Sequence, residues 1–285
     1  MLAAALTLVS RLPLWALYGL SPLIGFVLYR FVPSRRAILL TNLHQAFPDQ
    51  GANIVNNLTP VIYRNYADVA VEMVKSLTIP ATDLQRRVKI TGAETIEHYL
   101  LNGQPVLVTV AHQCNIEWLL LALCLRFDYP LEAIYRPLSN RSLEAVMSTI
   151  YTRFGGTLIP DRNVVAEVMQ RRSKPRLVSI APDQAPNWQD ETYWTTFLNQ
   201  ETGFFLAPEI LAKFVRYPVV FVGMSRVGRG YYHADIQPLA EPPYQKDDHS
   251  VVERYVRAVE SQIAAQPADW FWFHNRWKRK RPLYS

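Results

Sequence analysis

Hydrophobic and polar positions follow two different periods along this chain. Short runs rich in β-branched residues predict buried strands at 105–110, 177–181 and 218–224. Apolar positions recurring every three or four residues predict helices over 36–77, 116–125, 162–172 and 204–216. Gly228-Arg229-Gly230, between two further apolar runs, predicts a hairpin. The alternation predicts an α/β fold with a mixed β-sheet flanked by helices.

The N-terminal segment is the most apolar part of the chain. Residues 12–29 carry no charge, and these eighteen residues just reach the length that spans a bilayer. We therefore predict a membrane anchor helix in residues 1–33, as a full span or as a shallow monotopic helix. Arg30, Arg35 and Arg36 follow the apolar run and predict that the rest of the chain lies on the cytoplasmic side.

Composition narrows the class of protein. Hydrophobic residues make up 49% of the chain and charged residues 19%, which excludes a disordered chain. Residues 34–285 show no repeat or linker, so they are predicted to form one domain. A net charge of +6 suits an anionic partner, whether nucleic acid, anionic lipid or an acidic carrier protein. Two cysteines are too few for a disulfide framework or a four-ligand zinc site, and nothing predicts a metal or a cofactor.

The best candidate for chemistry is a histidine at the end of the first buried strand. His112 is followed five residues later by Glu117, and Asn115 is a good N-cap for the helix between 116 and 125. Glu117 could then turn back and orient His112, while the helix N-terminus keeps the imidazole neutral, as a general base requires. A structural histidine with a chance acidic neighbour is the alternative that this spacing leaves open.

Further motifs accompany this spacing, and together they resemble a known family. They are Arg36-x5-Asn42-Leu43-x2-Ala46-Phe47-Pro48, Tyr135-Arg136-Pro137, Arg153-Phe154-Gly155-Gly156, Pro182-Asp183-Gln184 and Trp270-Phe-Trp-Phe-His274-Asn-Arg276-Trp277-Lys278-x3-Pro282. With His112-x4-Glu117 they look like the bacterial lipid A biosynthesis acyltransferases of the lysophospholipid acyltransferase superfamily. The resemblance implies a glycerolipid-acyltransferase-like fold, with His112 as the base and Glu117 as its partner.

The same resemblance implies the substrates and the compartment. An inner-membrane enzyme, active on the cytoplasmic side, would move a fatty acyl group from acyl carrier protein to a hydroxyl of a hydroxyacyl chain on a lipid A precursor. Arg136 and Arg153 resemble arginines near the acceptor, where a guanidinium fork suits a sugar phosphate, although surface ion pairs are the alternative. Asp183 and Gln184 would order the wall of the active site or hydrogen-bond a glucosamine.

Two other interpretations stay open at this stage. The chain could acylate a glycerol-based lysophospholipid or another lipid, because the base motif is common to the superfamily. It could instead be a non-catalytic membrane adaptor. The basic ending 276–281 would alone be a solvated tail or a nucleic-acid patch. Its interleaved aromatic residue, Trp277, and the apolar anchor favour an anionic membrane as partner and predict no nucleic acid.

Overall fold

The structure, a computed structural model, describes residues 2–281. Within them the α-helices are α1 Leu2–Ser10, α2 Leu14–Phe31, α3 Pro33–Ala46, α4 Gly51–Lys75, α5 Ala81–Arg87, α6 Ala93–Leu101, α7 Ile116–Arg126, α8 Arg141–Tyr151, α9 Val164–Gln170, α10 Ala207–Val215 and α11 Ser250–Ala265. The strands are β1 Val88–Thr91, β2 Val106–Thr109, β3 Leu131–Tyr135, β4 Thr157–Pro160, β5 Leu177–Ile180, β6 Thr192–Phe197, β7 Gln200–Phe205, β8 Val219–Gly228 and β9 Tyr231–Ala240.

Within this range, seven strands form one sheet in the order β1-β9-β8-β2-β5-β3-β4. The β8–β9 hairpin is antiparallel, and every other neighbouring pair in the sheet is parallel. β6 and β7 form a separate antiparallel hairpin. Helices connect the parallel strands, as crossover connections require. The predicted mixed α/β sheet flanked by helices is confirmed.

The central strands are buried on both faces, which explains their continuous apolar sequences. Val106 and Val108 of β2 pack into one hydrophobic cluster, and Leu107 packs into the other. Successive side chains of a strand point to opposite faces, so each face of the sheet has its own core. The register of β2 with β5 then sets the place where the chain leaves the strand.

The apolar N-terminal helix α2 lies against α4 instead of standing apart from the domain. Its buried residues form one stripe made of Leu14, Leu17, Ser21 and Gly25. The other side of the helix exposes large apolar side chains, namely Trp15, Leu20, Leu23, Phe26 and Val27. By length and composition α2 could cross a membrane. One of its faces is occupied by protein.

The basic C-terminal segment differs from its prediction. Residues 276–281 were expected to face an anionic membrane, yet Arg276 is only 2% exposed and its Nη2 donates to the carbonyl of Gly203 at 2.8 Å. Burial lowers the pKa of Arg276 to about 10. Arg281 pairs with Glu201 on the β6–β7 hairpin at 3.0 Å. The interleaved aromatic residue, Trp277, packs into the core, and for Arg276 the predicted membrane contact is wrong.

Candidate functional site

The candidate site forms where two neighbouring parallel strands end. β2 pairs with β5 so that Thr109 lies beside Ile180, and the chain leaves both strands at the same edge. His112 and Asp183 each follow at the third position beyond these paired residues. The carboxyl ends of adjacent parallel strands are where α/β sheets place their sites. Two residues 71 positions apart in sequence thus meet.

Asp183 holds the histidine by two hydrogen bonds. The backbone N–H of His112 donates to Oδ2 at 3.0 Å, and the imidazole Nδ1 lies 2.6 Å from Oδ1. Because a carboxylate only accepts, Nδ1 carries the proton, and the other ring nitrogen, Nε2, is left to act as the base. The indole of Trp270 also donates to Oδ2, at 2.9 Å. The side chain of Asp183 is 1% exposed while that of His112 is 29% exposed, so the imidazole is the accessible member of the pair.

The electrostatics of the pair favour its charged form. Burial opposes charging of the imidazole, but the charge and hydrogen bond of Asp183, together with the charge of Glu117, outweigh it and raise the pKa of His112. Burial likewise opposes ionisation of Asp183, but His112 and Trp270 lower the pKa of this carboxyl below its usual value. The charge and hydrogen bond of Asp183 thus act against the neutral imidazole that the sequence predicts at the helix N-terminus.

The hydrogen bond of the Glu117 side chain is made with Tyr151, whereas the sequence predicts that Glu117 orients His112. Asn115 caps α7 as expected, its Oδ1 accepting from the N–H of Trp118 at 2.9 Å. Glu117 lies in the first turn, where its Oε1 accepts a long hydrogen bond of 3.5 Å from the hydroxyl of Tyr151. Asp183, predicted only as a wall or sugar-binding residue, is the carboxylate that orients His112. Burial raises the pKa of Glu117, although its own backbone N–H and His112 oppose that shift.

The loop between β2 and α7 is held tightly in an unusual conformation. Cys114 has φ of +58°, a left-handed conformation that costs a non-glycine residue free energy. The N–H of Cys114 donates to the carbonyl of Asp269 at 2.8 Å, and the N–H of Phe271 donates to the carbonyl of His112 at 2.9 Å. The segment around Trp270 therefore supports both the loop and Asp183. Burial raises the pKa of the Cys114 thiol well above its ordinary value, which opposes a thiolate nucleophile.

A cavity of about 1270 Å³ opens beside the histidine. His112, Glu117, Gln184 and Arg136 line it together. Its wall is otherwise mainly apolar, including Val69, Met73, Ile116, Leu120, Met147, Ile180, Ile210 and Phe214. A cavity of this size and character suits a fatty chain.

The two predicted arginines lie in different places. Arg136 lines the rim of the cavity, where its Nε contacts Asp161 at 2.7 Å and its side chain stays 64% exposed. Arg153 is not among the described residues that line the cavity. Its Nη1 donates to the carbonyl of Ser76 at 2.6 Å, just beyond the end of α4.

Sequence reasoning missed two residues of the site. Tyr151 lines the cavity from α8 together with Glu144 and Met147, and this spacing of three and four residues on one helix face could have indicated it. Trp270 was part of a recognised motif, but its hydrogen bond to Asp183 joins residues 87 positions apart, and no local pattern signals such a contact.

The fold and the site define a class: an α/β enzyme with a carboxylate-oriented histidine at the mouth of a large apolar cavity. The family model of the bacterial lipid A biosynthesis acyltransferases matches residues 1–279, and the chain belongs to this family. It is similar to the lipid A biosynthesis lauroyltransferase of Escherichia coli (strain K12), with 22% identity over 281 residues that cover 96% of this chain and 89% of that protein. The protein is thus an acyltransferase of lipid A biosynthesis.

Proposed function

We propose that the protein transfers a fatty acyl chain from acyl carrier protein to a hydroxyl of a hydroxyacyl chain on a lipid A precursor, with His112 as general base. The observation that carries the proposal is the imidazole of His112, fixed through Nδ1 by Asp183 and partly exposed beside the apolar cavity. Family membership supports an acceptor of the lipid A type.

The proposed reaction is a direct transfer from thioester to hydroxyl. Nε2 of neutral His112 takes the proton of the acceptor hydroxyl as its oxygen attacks the thioester carbonyl carbon. A carbon–oxygen bond forms and gives a tetrahedral intermediate. When the carbon–sulfur bond breaks, the leaving thiolate takes the proton from the imidazolium. Asp183 stabilises that imidazolium by charge and by the Nδ1 hydrogen bond.

Glu117 is also proposed as a catalytic residue, but in a different role from the one that the sequence predicts. Its carboxyl group lines the cavity close enough to raise the pKa of His112, and the hydroxyl of Tyr151 donates to it. We assign it to the acceptor side, where it would orient the hydroxyl and add negative charge beside the imidazolium.

Recognition of the acceptor is assigned to the rim. The guanidinium of Arg136 is exposed there and could bind a sugar phosphate through two nitrogens, and Gln184 offers an amide for a sugar hydroxyl. The resemblance proposes the same role for Arg153. Because Arg153 lies outside the cavity beside Ser76, a contact would require the acceptor headgroup to extend to that surface.

Residues 1–33 are proposed to hold the enzyme at the bacterial inner membrane, with residues 34–285 as the acyltransferase domain on the cytoplasmic side. The apolar exposed face of α2 supports contact with lipid. Packing of the opposite face on α4 supports a shallow anchor over a full span, since one side of the helix is not available to lipid. Arg30, Arg35 and Arg36 support the cytoplasmic placement.

The test is acyl transfer by the purified full chain from radiolabelled acyl carrier protein to an underacylated lipid A precursor. His112→Ala should lose at least ~10²-fold in kcat. His98→Ala is the matched control, because His98 is exposed on α6 and should retain activity. Transfer only to a lysophospholipid would replace the proposed acceptor. Full activity of His112→Ala would remove the mechanism.

A further inference from the structure

A buried carboxylate connects the apolar N-terminal helix to the loop that carries His112. Glu72 of α4 is completely buried. From α2, the hydroxyl of Tyr18 donates to its Oε1 at 2.7 Å. From the other direction, the side chain of Asn115 donates to its Oε2 at 2.8 Å, and the hydroxyl of Tyr232 donates to the same oxygen at 2.6 Å. Three elements therefore converge on one side chain.

Asn115 uses both ends of its amide, which gives this contact its importance. Its Oδ1 caps α7 by accepting from the N–H of Trp118, and its Nδ2 donates to Glu72. The amide cannot be turned round without losing both bonds. Asn115 follows Cys114, whose positive φ must be maintained by surrounding contacts, and precedes the helix that carries Glu117. Glu72 thus fixes the C-terminal end of the loop that carries His112 at its N-terminal end.

We propose that Glu72 is a positioning residue through which docking of α2 on α4 sets the conformation of the His112 loop. In this arrangement the helix that contacts the membrane completes the active site, and an enzyme whose α2 is displaced has a loosened loop. The role of the loop in catalysis rests on the proposed function, whereas the coupling of α2 to the loop can be measured without substrate.

A second polar contact between α2 and α4 provides a matched control. The hydroxyl of Ser21 donates to Asp68, which is also bonded by Arg229. This contact, like that of Tyr18, joins the two helices by a hydroxyl and a carboxylate, but it does not include Glu72 or Asn115. Tyr18→Phe and Ser21→Ala each remove one such hydrogen bond, and only Tyr18→Phe removes one from Glu72.

The thiol of Cys114 reports the loop directly. Cys114 and Cys124 are the two cysteines of the chain, so in a Cys124→Ala background an alkylating reagent reads Cys114 alone. We expect Tyr18→Phe to raise the rate of Cys114 alkylation about 5-fold and to lower kcat about 5-fold. This factor corresponds to the loss of one hydrogen bond. Ser21→Ala should lower the melting temperature about as much as Tyr18→Phe does. Its alkylation rate and its kcat should stay near those of the parent. Equal effects of the two variants on Cys114 would overturn the proposal.

Changes at Glu72 itself sharpen the test. Glu72→Gln keeps a carbonyl oxygen for Asn115 and Tyr232, while its NH₂ can donate to the hydroxyl of Tyr18, so Cys114 should stay protected. Glu72→Leu removes every acceptor and should increase alkylation by at least ~10-fold. If Glu72→Leu does not fold, Tyr18→Phe and Glu72→Gln still decide the matter, because rapid alkylation of Glu72→Gln would contradict the hydrogen-bonding role. Absence of acyl transfer by the parent chain would contradict the proposed function, and this outcome is separate from the alkylation results.

Discussion

The inner site and the rim of the cavity hold their polar groups in different ways. In the inner site, formed by His112, Asp183 and Trp270, each oxygen of a nearly inaccessible carboxylate has a donor. At the rim, Arg136 has one ion pair with Asp161 and is mostly exposed. A buried charge that loses its partner is costly, whereas an exposed pair contributes about 0–1 kcal/mol. The difference supports our proposal that the chemistry takes place at a buried, fully hydrogen-bonded inner site and that recognition takes place at the exposed rim.

The largest effect should come from the carboxylate of the inner site. Asp183→Asn puts an amide NH₂ against N–H donors and removes the charge that stabilises the imidazolium, so we expect kcat to fall by ~10²–10⁴-fold. Steady-state kinetics of the purified variant, with each substrate varied separately, measure this. A loss confined to the acceptor KM would instead move Asp183 to the sugar-binding role that the sequence predicted.

The same substitution should change the pH dependence. Only neutral His112 can accept a proton, so kcat/KM rises with pH through the pKa of His112. Asp183 raises that pKa, and its removal should shift the acid limb of the profile to lower pH. Profiles of the parent and of Asp183→Asn measure the direction. A shift to higher pH would mean that a group other than His112 sets the acid side of the pH profile.

Glu117 should have a smaller effect than Asp183, because it acts on His112 through charge and accepts only one long hydrogen bond. We expect Glu117→Gln to lower kcat by about 10-fold, which is below the usual range for an acid–base group. Tyr151→Phe serves as the control for the hydrogen bond alone. If Glu117→Gln is more damaging than Asp183→Asn, Glu117 is the principal partner of His112, as the sequence predicts.

The smallest effect should be at the rim. Arg136→Lys keeps the charge and loses the guanidinium fork, so the acceptor KM should rise a few-fold while the donor KM and kcat stay unchanged. Arg153→Lys, outside the cavity, is the comparison, and its effect should be smaller still. A donor-only defect would place Arg136 on the surface that receives the carrier protein.

Local patterns predicted some parts of this molecule and missed others for physical reasons. The strand around Val108 was predicted because burial on both faces leaves a continuous apolar run. β3 was not, since Glu132 interrupts its apolar pattern, and only the folded chain brings Arg176 within 3.0 Å of that carboxylate. The helix predicted from Phe204 begins at Ala207, because Phe204 belongs to β7.

The residues of the site show the same difference between local and long-range signals. His112 and Glu117 could be found because they lie five residues apart across one strand-to-helix turn. The pairing of His112 with Asp183 depends on β2 lying next to β5, a long-range register that no local spacing specifies. The sequence therefore predicts Glu117 as the partner of His112, whereas in the structure the imidazole forms its hydrogen bond with Asp183.

The hydrogen bond from Trp270 to Asp183 also gives the enzyme an internal spectroscopic reporter. An indole N–H that donates to a carboxylate has a proton resonance sensitive to the charge of its acceptor, and the chain contains seven tryptophans, few enough for individual signals to be assigned by substitution. The Trp270 resonance would register titration of the neighbouring imidazole and arrival of a substrate in the cavity. Ligand screening could then proceed by nuclear magnetic resonance on the unlabelled substrates, with no radioactive donor.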